Sequence, residues 1–186
     1  MYSPACRANS SVYFKNHNMP QIIAGSEPFL FPGGRTGCIL LHGFTSMPEE
    51  TRLLGQYLAD QGFTTLGLRL SGHATHPKDL GHVRWTDWLL DVECDLALLS
   101  NLTDQVYLIG QSMGGIISLV AAAEFPIAGV VAVSTPAAPV PARLSFGYYF
   151  QKTFVRNVYK ESYKSSRSSE YRREENYPAY PYYPSR

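Results

Sequence analysis

The stretch Val106–Glu124, VYLIGQSMGGIISLVAAAE, constrains the fold more than any other part of the chain. It predicts a short apolar strand, a turn of small residues and an apolar helix. The turn, Gly110-Gln111-Ser112-Met113-Gly114, has the spacing G-x-S-x-G. A serine on so sharp a turn has a strained backbone, and its neighbours two residues away come too close for a Cβ. We therefore expect the Ser112 hydroxyl to be exposed at the carboxyl edge of a sheet, near a helix N-terminus that favours negative charge.

Strands and helices alternate on both sides of this turn. Apolar runs predict buried strands over Thr36–Leu41, Phe63–Leu68 and Ile127–Ser134. A helix is predicted to open at Ser46 and Glu49, which have capping-box spacing, and to end near Gly62. The apolar faces of this helix and the next are expected to be Leu53, Leu54, Tyr57 and Leu58, and then Trp85, Leu89, Val92, Leu96 and Leu99. This alternation predicts an α/β chain with a mostly parallel, doubly wound sheet.

Charge, hydropathy and cysteine content bear on the partners and the compartment of the protein. The formal net charge of +1 over 186 residues gives no general basis for binding nucleic acid. No apolar run approaches the length of a membrane span. Cys6, Cys38 and Cys94 are scattered and odd in number, which indicates reduced thiols in a cytoplasmic protein, with Cys38 and Cys94 in the core.

The chain divides into three parts by composition. Residues 1–26 are expected to be an N-terminal extension, and residues 27–136 the folded core. Residues 142–186 hold nine of the sixteen Lys and Arg residues and nine of the thirteen Tyr residues. From this composition, residues 137–186 are interpreted as a solvated lid or chain end that finishes in a Pro/Tyr-rich tail. Glutamates interrupt its charge, which favours a solvated segment over a nucleic-acid contact.

The candidate chemistry is acyl transfer, which needs a nucleophile, a base, a group that orients the base, and donors for an oxyanion. Ser112 is the candidate nucleophile. The expected donors are the amide of Met113 and the amide of Phe44, which follows the strand 36–41 in the run His42-Gly43-Phe44. His42 is expected to be structural, and Trp85 and Trp88 to be core residues. The irregular spacing of His73, His76 and His82 predicts no metal site.

The run from about Pro28 to Pro136 resembles the bacterial carboxylesterase and monoacylglycerol lipase family of α/β-hydrolases. The resemblance lies in the pieces PFLFPGG, CILLHGFTS, SGHATHP, WTDWLLDV, VYLIGQSMGG and PIAGVVAVSTP, in that order. It implies an α/β-hydrolase fold and hydrolysis of a small-molecule ester or monoacylglycerol through an acyl-enzyme, without a cofactor. It also implies that Ser112 is the nucleophile and that Phe44 and Met113 supply the oxyanion amides.

The chain departs from this family in its catalytic acid and base. In the α/β-hydrolase fold these residues follow the nucleophilic serine along the chain, first an Asp or Glu and then a His. No Asp and no His follows Ser112 in this chain. We therefore expect a fold that is incomplete at the C-terminus, as in a fragment or the product of a truncated gene. His73 or His76 could alternatively substitute as the base. The function is predicted to be that of a serine hydrolase of carboxylic esters; the alternative is a non-catalytic truncated hydrolase that binds a hydrophobic ligand or a protein partner.

Overall fold

The computed structural model describes residues 22–136 and the short segments 157–159 and 182–184. The larger part has five strands and three helices. The strands are β1 (Phe29–Phe31), β2 (Thr36–Leu41), β3 (Thr64–Gly67), β4 (Gln105–Gln111) and β5 (Gly129–Val133), and the helices are α1 (Glu49–Asp60), α2 (Trp85–Ser100) and α3 (Met113–Glu124). A short 3₁₀ helix, Asp79–His82, precedes α2. Two further strands, β6 (Asn157–Tyr159) and β7 (Tyr182–Pro184), pair antiparallel as a separate ribbon.

The five strands form one sheet in the order β1-β3-β2-β4-β5. β3, β2, β4 and β5 run parallel, and β1 pairs antiparallel with β3 at the edge. The mostly parallel sheet predicted from sequence is confirmed. Because the parallel strands share one direction, the loops that follow their carboxyl ends gather at one edge.

Alternate residues of the central strand β2 face opposite layers of helix. Ile39 and Leu41 belong to a core cluster with residues of α2 and α3, whereas Leu40 lies beside α1, next to Gly55. Helices therefore cover both faces of the sheet, which is the doubly wound arrangement. Because β2 is buried on both faces, its sequence is continuously apolar.

The packing of α1 differs from the prediction. Leu53 is 86% exposed and Tyr57 is 61% exposed, while Thr51 and Gly55 are the buried residues. A Cβ on Gly55 would lie 2.5 Å from the ring of Phe29, so the helix packs through its small residues. This close approach lets the Thr65 hydroxyl donate a hydrogen bond to the Gly55 carbonyl (3.0 Å). The apolar-face prediction is therefore wrong, because close packing displaced the large side chains to the outer face.

The predictions for the two ends of α1 differ in their result. The predicted capping box is absent, since Pro48 is the N-cap and no side chain caps the helix there. The Ser46 amide instead donates to the Gly43 carbonyl (3.1 Å), which holds the preceding loop. The C-terminal prediction holds: Gly62 follows the cap residue Gln61 and has φ +92°, a conformation that favours glycine.

Three burial predictions also need correction. Cys94, in α2, is exposed. Trp85, at the start of the same helix, is 58% exposed. β5 was expected to be buried, yet Val131 and Val133 are about half exposed, because β5 is the last strand of the sheet within the described ranges. Cys38 is buried as predicted, and burial raises the pKa of its thiol.

Most of the predicted N-terminal extension (1–26) lies outside the described residues. The same is true of the predicted lid and tail (137–186), apart from the β6–β7 ribbon.

Candidate active site

The turn between β4 and α3 places Ser112 at the carboxyl edge of the sheet. Ser112 has φ 52° and ψ −114°, outside the regions that a non-glycine residue ordinarily adopts. Its amide donates to the Val133 carbonyl (2.8 Å), and its carbonyl accepts from the Gly115 amide (3.1 Å). These bonds to β5 and to the first turn of α3 hold the strained conformation. The serine is half-buried, so the expectation of an exposed hydroxyl is met only in part.

The small residues of the motif are required by close backbone contacts. A Cβ on Gly110 would lie 2.2 Å from the Gly114 carbonyl oxygen. A Cβ on Gly114 would lie 2.4 Å from the Leu41 carbonyl oxygen and 2.7 Å from that of His42. The first turn of α3 therefore packs directly on the end of β2, which carries the loop His42-Gly43-Phe44.

This loop lies beside the serine. A Cβ built on Gly43 would be 3.7 Å from the Ser112 Cβ, so Gly43 and Ser112 are in close proximity. Phe44 follows Gly43, and Met113 is the first residue of α3, where backbone amides have no acceptor within the helix. The structure thus brings the three sequence-predicted residues, Ser112, Phe44 and Met113, to one edge of the sheet.

Strained backbone is concentrated at this edge. Four non-glycine residues have positive φ in the described part of the chain: Thr45, Ala74, Ser112 and Ser134. Each lies in a segment that follows the carboxyl end of one of the four parallel strands. Strained residues persist only where the surrounding structure holds them, and they cluster at functional sites. Their position supports this edge as the location of the candidate site.

Glu50, in the first turn of α1, is a site residue that the sequence reasoning missed. One oxygen of its carboxylate accepts the Gly43 amide (3.0 Å), and the other accepts the Gln111 side-chain amide (3.4 Å). It therefore joins the loop after β2 to the residue before Ser112. The sequence signal, two adjacent acidic residues opening α1, was read only as helix capping through Glu49.

His42 is structural, as predicted. It is fully buried; its Nδ1 lies 2.9 Å from the Gly43 carbonyl, and its Nε2 accepts the Leu70 amide (3.3 Å). An Nε2 that accepts must be unprotonated, so Nδ1 carries the proton and donates it. Burial lowers the pKa of His42 to about 4, which keeps the ring neutral.

His73 is also committed to the backbone. Its Nε2 accepts the Thr45 amide (3.1 Å), and its Nδ1 donates to the Ser71 carbonyl (3.2 Å). Burial, together with the neighbouring His42 ring 4.9 Å away, lowers the pKa of His73 to about 3. Because both ring nitrogens are occupied, His73 has no lone pair for the Ser112 proton. This arrangement argues against the substitute base suggested by the sequence.

His76 is likewise not placed as a base. It is exposed, and its Nδ1 accepts the Lys78 amide (3.2 Å) within its own loop. Within the part of the chain that the structure describes, no group of three or more His, Cys, Asp or Glu side chains could hold a metal ion. Over the same ranges, no helix has the length and apolarity needed to cross a bilayer.

Comparisons with known proteins identify similar hydrolases. The family described as serine aminopeptidase, S33 matches residues 34–181. The thermostable monoacylglycerol lipase of Bacillus sp. (strain H-257) is 35% identical over 122 residues, 65% of this chain and 48% of that protein. The carboxylesterase of Bacillus subtilis (strain 168) is 35% identical over 111 residues, 59% of this chain and 45% of that protein. The chain thus spans about half the length of these curated relatives.

A similar fold occurs in a solved structure from work on LipS and LipT, two metagenome-derived lipolytic enzymes. It superposes with a TM-score of 0.73 at 26% identity, over 89% of this chain and 66% of that one. This likeness confirms the α/β-hydrolase fold predicted from sequence.

Proposed function

The chain belongs to the α/β-hydrolase family described as serine aminopeptidase, S33, and is similar to a bacterial monoacylglycerol lipase and a bacterial carboxylesterase; on this premise we propose that Ser112 is the nucleophile of a carboxylic ester hydrolase. The observation that carries the proposal is the strained Ser112 at the start of α3, beside the loop after β2. The proposed substrate is a small-molecule ester or monoacylglycerol. The proposed reaction uses no cofactor, and nucleic acid is not a proposed partner. The proposal also places the protein in the cytoplasm, consistent with free Cys38 and Cys94.

In this mechanism the Ser112 hydroxyl attacks the ester carbonyl carbon, and the carbonyl oxygen becomes an oxyanion. The amides of Phe44 and Met113 donate to that oxyanion, and the N-terminus of α3 adds a favourable field. Expulsion of the alcohol, which carries away the proton lost by Ser112, leaves an acyl group on Ser112; water then releases the carboxylic acid and restores the hydroxyl. Glu50 supports the first step by holding the Gly43 amide, one residue before Phe44.

The step that the described residues do not support is activation of the serine. A serine hydroxyl is a weak nucleophile at neutral pH until a base takes its proton. His42 and His73 use both ring nitrogens elsewhere, and the Nδ1 of His76 is bonded within its own loop. This observation favours a second candidate function, in which the chain binds a hydrophobic ligand or a protein partner without turnover.

We expect the 186-residue chain to hydrolyse p-nitrophenyl butyrate slowly, because the oxyanion donors alone leave at most about 10³–10⁴-fold acceleration over water. The measurement is steady-state release of p-nitrophenol by the purified chain, by Ser112→Ala and by the double variant His73→Ala, His76→Ala. Robust turnover by the parent chain that Ser112→Ala abolishes would contradict this expectation. If the double variant also lost that turnover, the base would lie in the loop 70–77.

Covalent labelling tests the nucleophile separately from turnover. We expect prolonged incubation with a fluorophosphonate to modify Ser112 and no other serine, as read by peptide mass spectrometry. Ser118, whose hydroxyl is buried and donates to the Gly114 carbonyl, is an internal control. Equal labelling of native and urea-unfolded chain would show that the fold gives Ser112 no special reactivity and would remove the support for an ester hydrolase.

A further inference from the structure

The backbone on either side of Phe44 is held by side chains from other segments of the chain. The Gly43 amide donates to the Glu50 carboxylate (3.0 Å). The Thr45 amide donates to Nε2 of His73 (3.1 Å). A peptide plane held by its N–H cannot rotate far without weakening that bond. The peptide that joins Gly43 to Phe44 lies between these two held peptides, so its orientation is restrained from both sides.

The bond to His73 acts on a strained residue. Thr45 has φ 61°, in the left-handed region that residues with a Cβ rarely adopt. Such a residue persists only where the surrounding structure holds it. The Thr45 hydroxyl also donates to the Phe44 carbonyl (2.6 Å). The peptide between Phe44 and Thr45 is therefore held by this local bond and by the long-range bond to His73.

His73 is itself fixed in place. It is fully buried, and its Nδ1 donates to the Ser71 carbonyl (3.2 Å), so its Nε2 has no proton and acts only as an acceptor. Its ring centroid lies 6.1 Å from that of Phe44, edge-to-face, and 5.8 Å from that of Trp88. His73 thus packs against Phe44 with its ring and binds the next residue with its nitrogen.

We propose that His73 is a positioning residue for the oxyanion site, one that holds the Phe44 backbone where its amide can reach the carbonyl oxygen of the substrate. This role rests on the function assigned above to Ser112 and concerns the donor that lies outside the serine turn. The Met113 amide is placed by the first turn of α3, whereas the Phe44 amide belongs to a loop that long-range bonds hold. Donors stabilise an oxyanion when they are preorganised, and a displacement of about 1 Å can lower a rate about 100-fold.

Two substitutions of similar shape test this role. His73→Gln places a side-chain oxygen near the position of Nε2, where it can accept the Thr45 amide. His73→Met has a similar length but only a weak acceptor. Neither variant has an imidazole, so a difference between them cannot come from proton transfer by the ring. The double variant described above removes the ring and the acceptor together, and this pair of substitutions separates the two.

The readout is the rate constant for labelling of Ser112 by the fluorophosphonate. Attack of the serine on this reagent expels fluoride and makes the phosphoryl oxygen more negative, as attack on an ester does. We expect His73→Met to lower this rate constant about tenfold or more, and His73→Gln to stay within about threefold of the parent. A parental rate in His73→Met, or equal losses in the two variants, would overturn the proposal.

Two controls separate positioning from loss of stability. Leu99→Ala also removes buried contacts, but Leu99 lies against Gly37, at the opposite end of β2 from the site. We expect it to label within about twofold of the parent at a temperature where the chain is folded. His73→Asn has a shorter amide that can donate to Ser71 but falls short of Thr45, so it should label as slowly as His73→Met. Slow labelling of Leu99→Ala, or fast labelling of His73→Asn, would assign the effect to stability and overturn the proposal.

Hydrogen exchange of the Thr45 amide, followed by NMR, does not depend on the reactivity of Ser112. We expect exchange about tenfold faster or more in His73→Met than in His73→Gln, because the buried bond is lost only in the first. A chain that shows this difference but resists the fluorophosphonate would contradict the function proposed for Ser112 and leave the hold of His73 on the loop intact. Equal exchange in the two variants would show that His73 does not hold the loop and would overturn the proposal.

Discussion

Replacement of Gly114 by Ala is expected to lower the free energy of unfolding by about 3 kcal/mol or more. The added Cβ would lie 2.4 Å and 2.7 Å from two carbonyl oxygens at the end of β2. These are backbone atoms of a buried strand, so they cannot move aside as the tip of a side chain can. The first turn of α3 must shift away from β2, which separates Ser112 from Gly43 and breaks up the candidate site.

Urea unfolding followed by circular dichroism measures this effect. Gly62→Ala is the matched control, because Gly62 has φ +92° but no atom within 4 Å of its added Cβ. It therefore carries only the strain of a left-handed residue, about 1–2 kcal/mol. A Gly114→Ala chain no less stable than Gly62→Ala would show that α3 does not approach β2 as closely as described.

Acid is expected to destabilise the fold at pH values well above those at which exposed carboxylates become protonated. Burial lowers the pKa of His42 to about 4 and that of His73 to about 3, whereas histidines in the unfolded chain titrate near 6.5. As pH falls below 6.5, the unfolded chain therefore binds two protons that the native fold excludes. The two histidines by themselves should lower the free energy of unfolding by about 2 kcal/mol per pH unit between pH 6 and 4.5, and their contribution should vanish above about pH 8, where both are neutral in either state.

The measurement is urea unfolding at half-unit steps from pH 7.5 to 4.5. Asp95 opposes the histidines, because burial and the nearby Asp91 raise its pKa to about 6 and it gains stability as pH falls through that value. Asp95→Asn should therefore make the decline steeper. A stability that is flat from pH 6.5 to 4.5 in Asp95→Asn would contradict the buried, neutral state of His42 and His73.

The sequence predicted the central strands of the sheet well because a buried strand has a recognisable apolar pattern. β2 coincides with the predicted run Thr36–Leu41, whose continuous apolar character follows from burial on both faces. The packing of α1 was not predictable in the same way. Amphipathic periodicity assumes that the largest apolar side chains face the core, but α1 approaches the sheet so closely that only Gly55 and Thr51 fit.

The candidate site was predictable where it depends on local geometry. The strained turn at Ser112 follows from the small residues around it, and the structural role of His42 follows from its place at a strand end. The bonds of Glu50 and His73 were not predictable, because each joins segments that are distant in sequence. His73 accepts an amide 28 residues away, and Glu50 reaches a side chain 61 residues away. Such contacts depend on the assembled sheet rather than on any spacing along the chain.

The carboxylate of Glu50 has a mechanical consequence for the site. One oxygen accepts the Gly43 backbone amide, and the other accepts, at 3.4 Å, the exposed side-chain amide of Gln111, so a single side chain of α1 links the segments that precede Phe44 and Met113. A shift of α1 on the sheet would move the acceptor of both bonds. We therefore expect substitutions on the α1 face that meets Phe29 to be felt at the proposed oxyanion site, from the opposite layer of the fold.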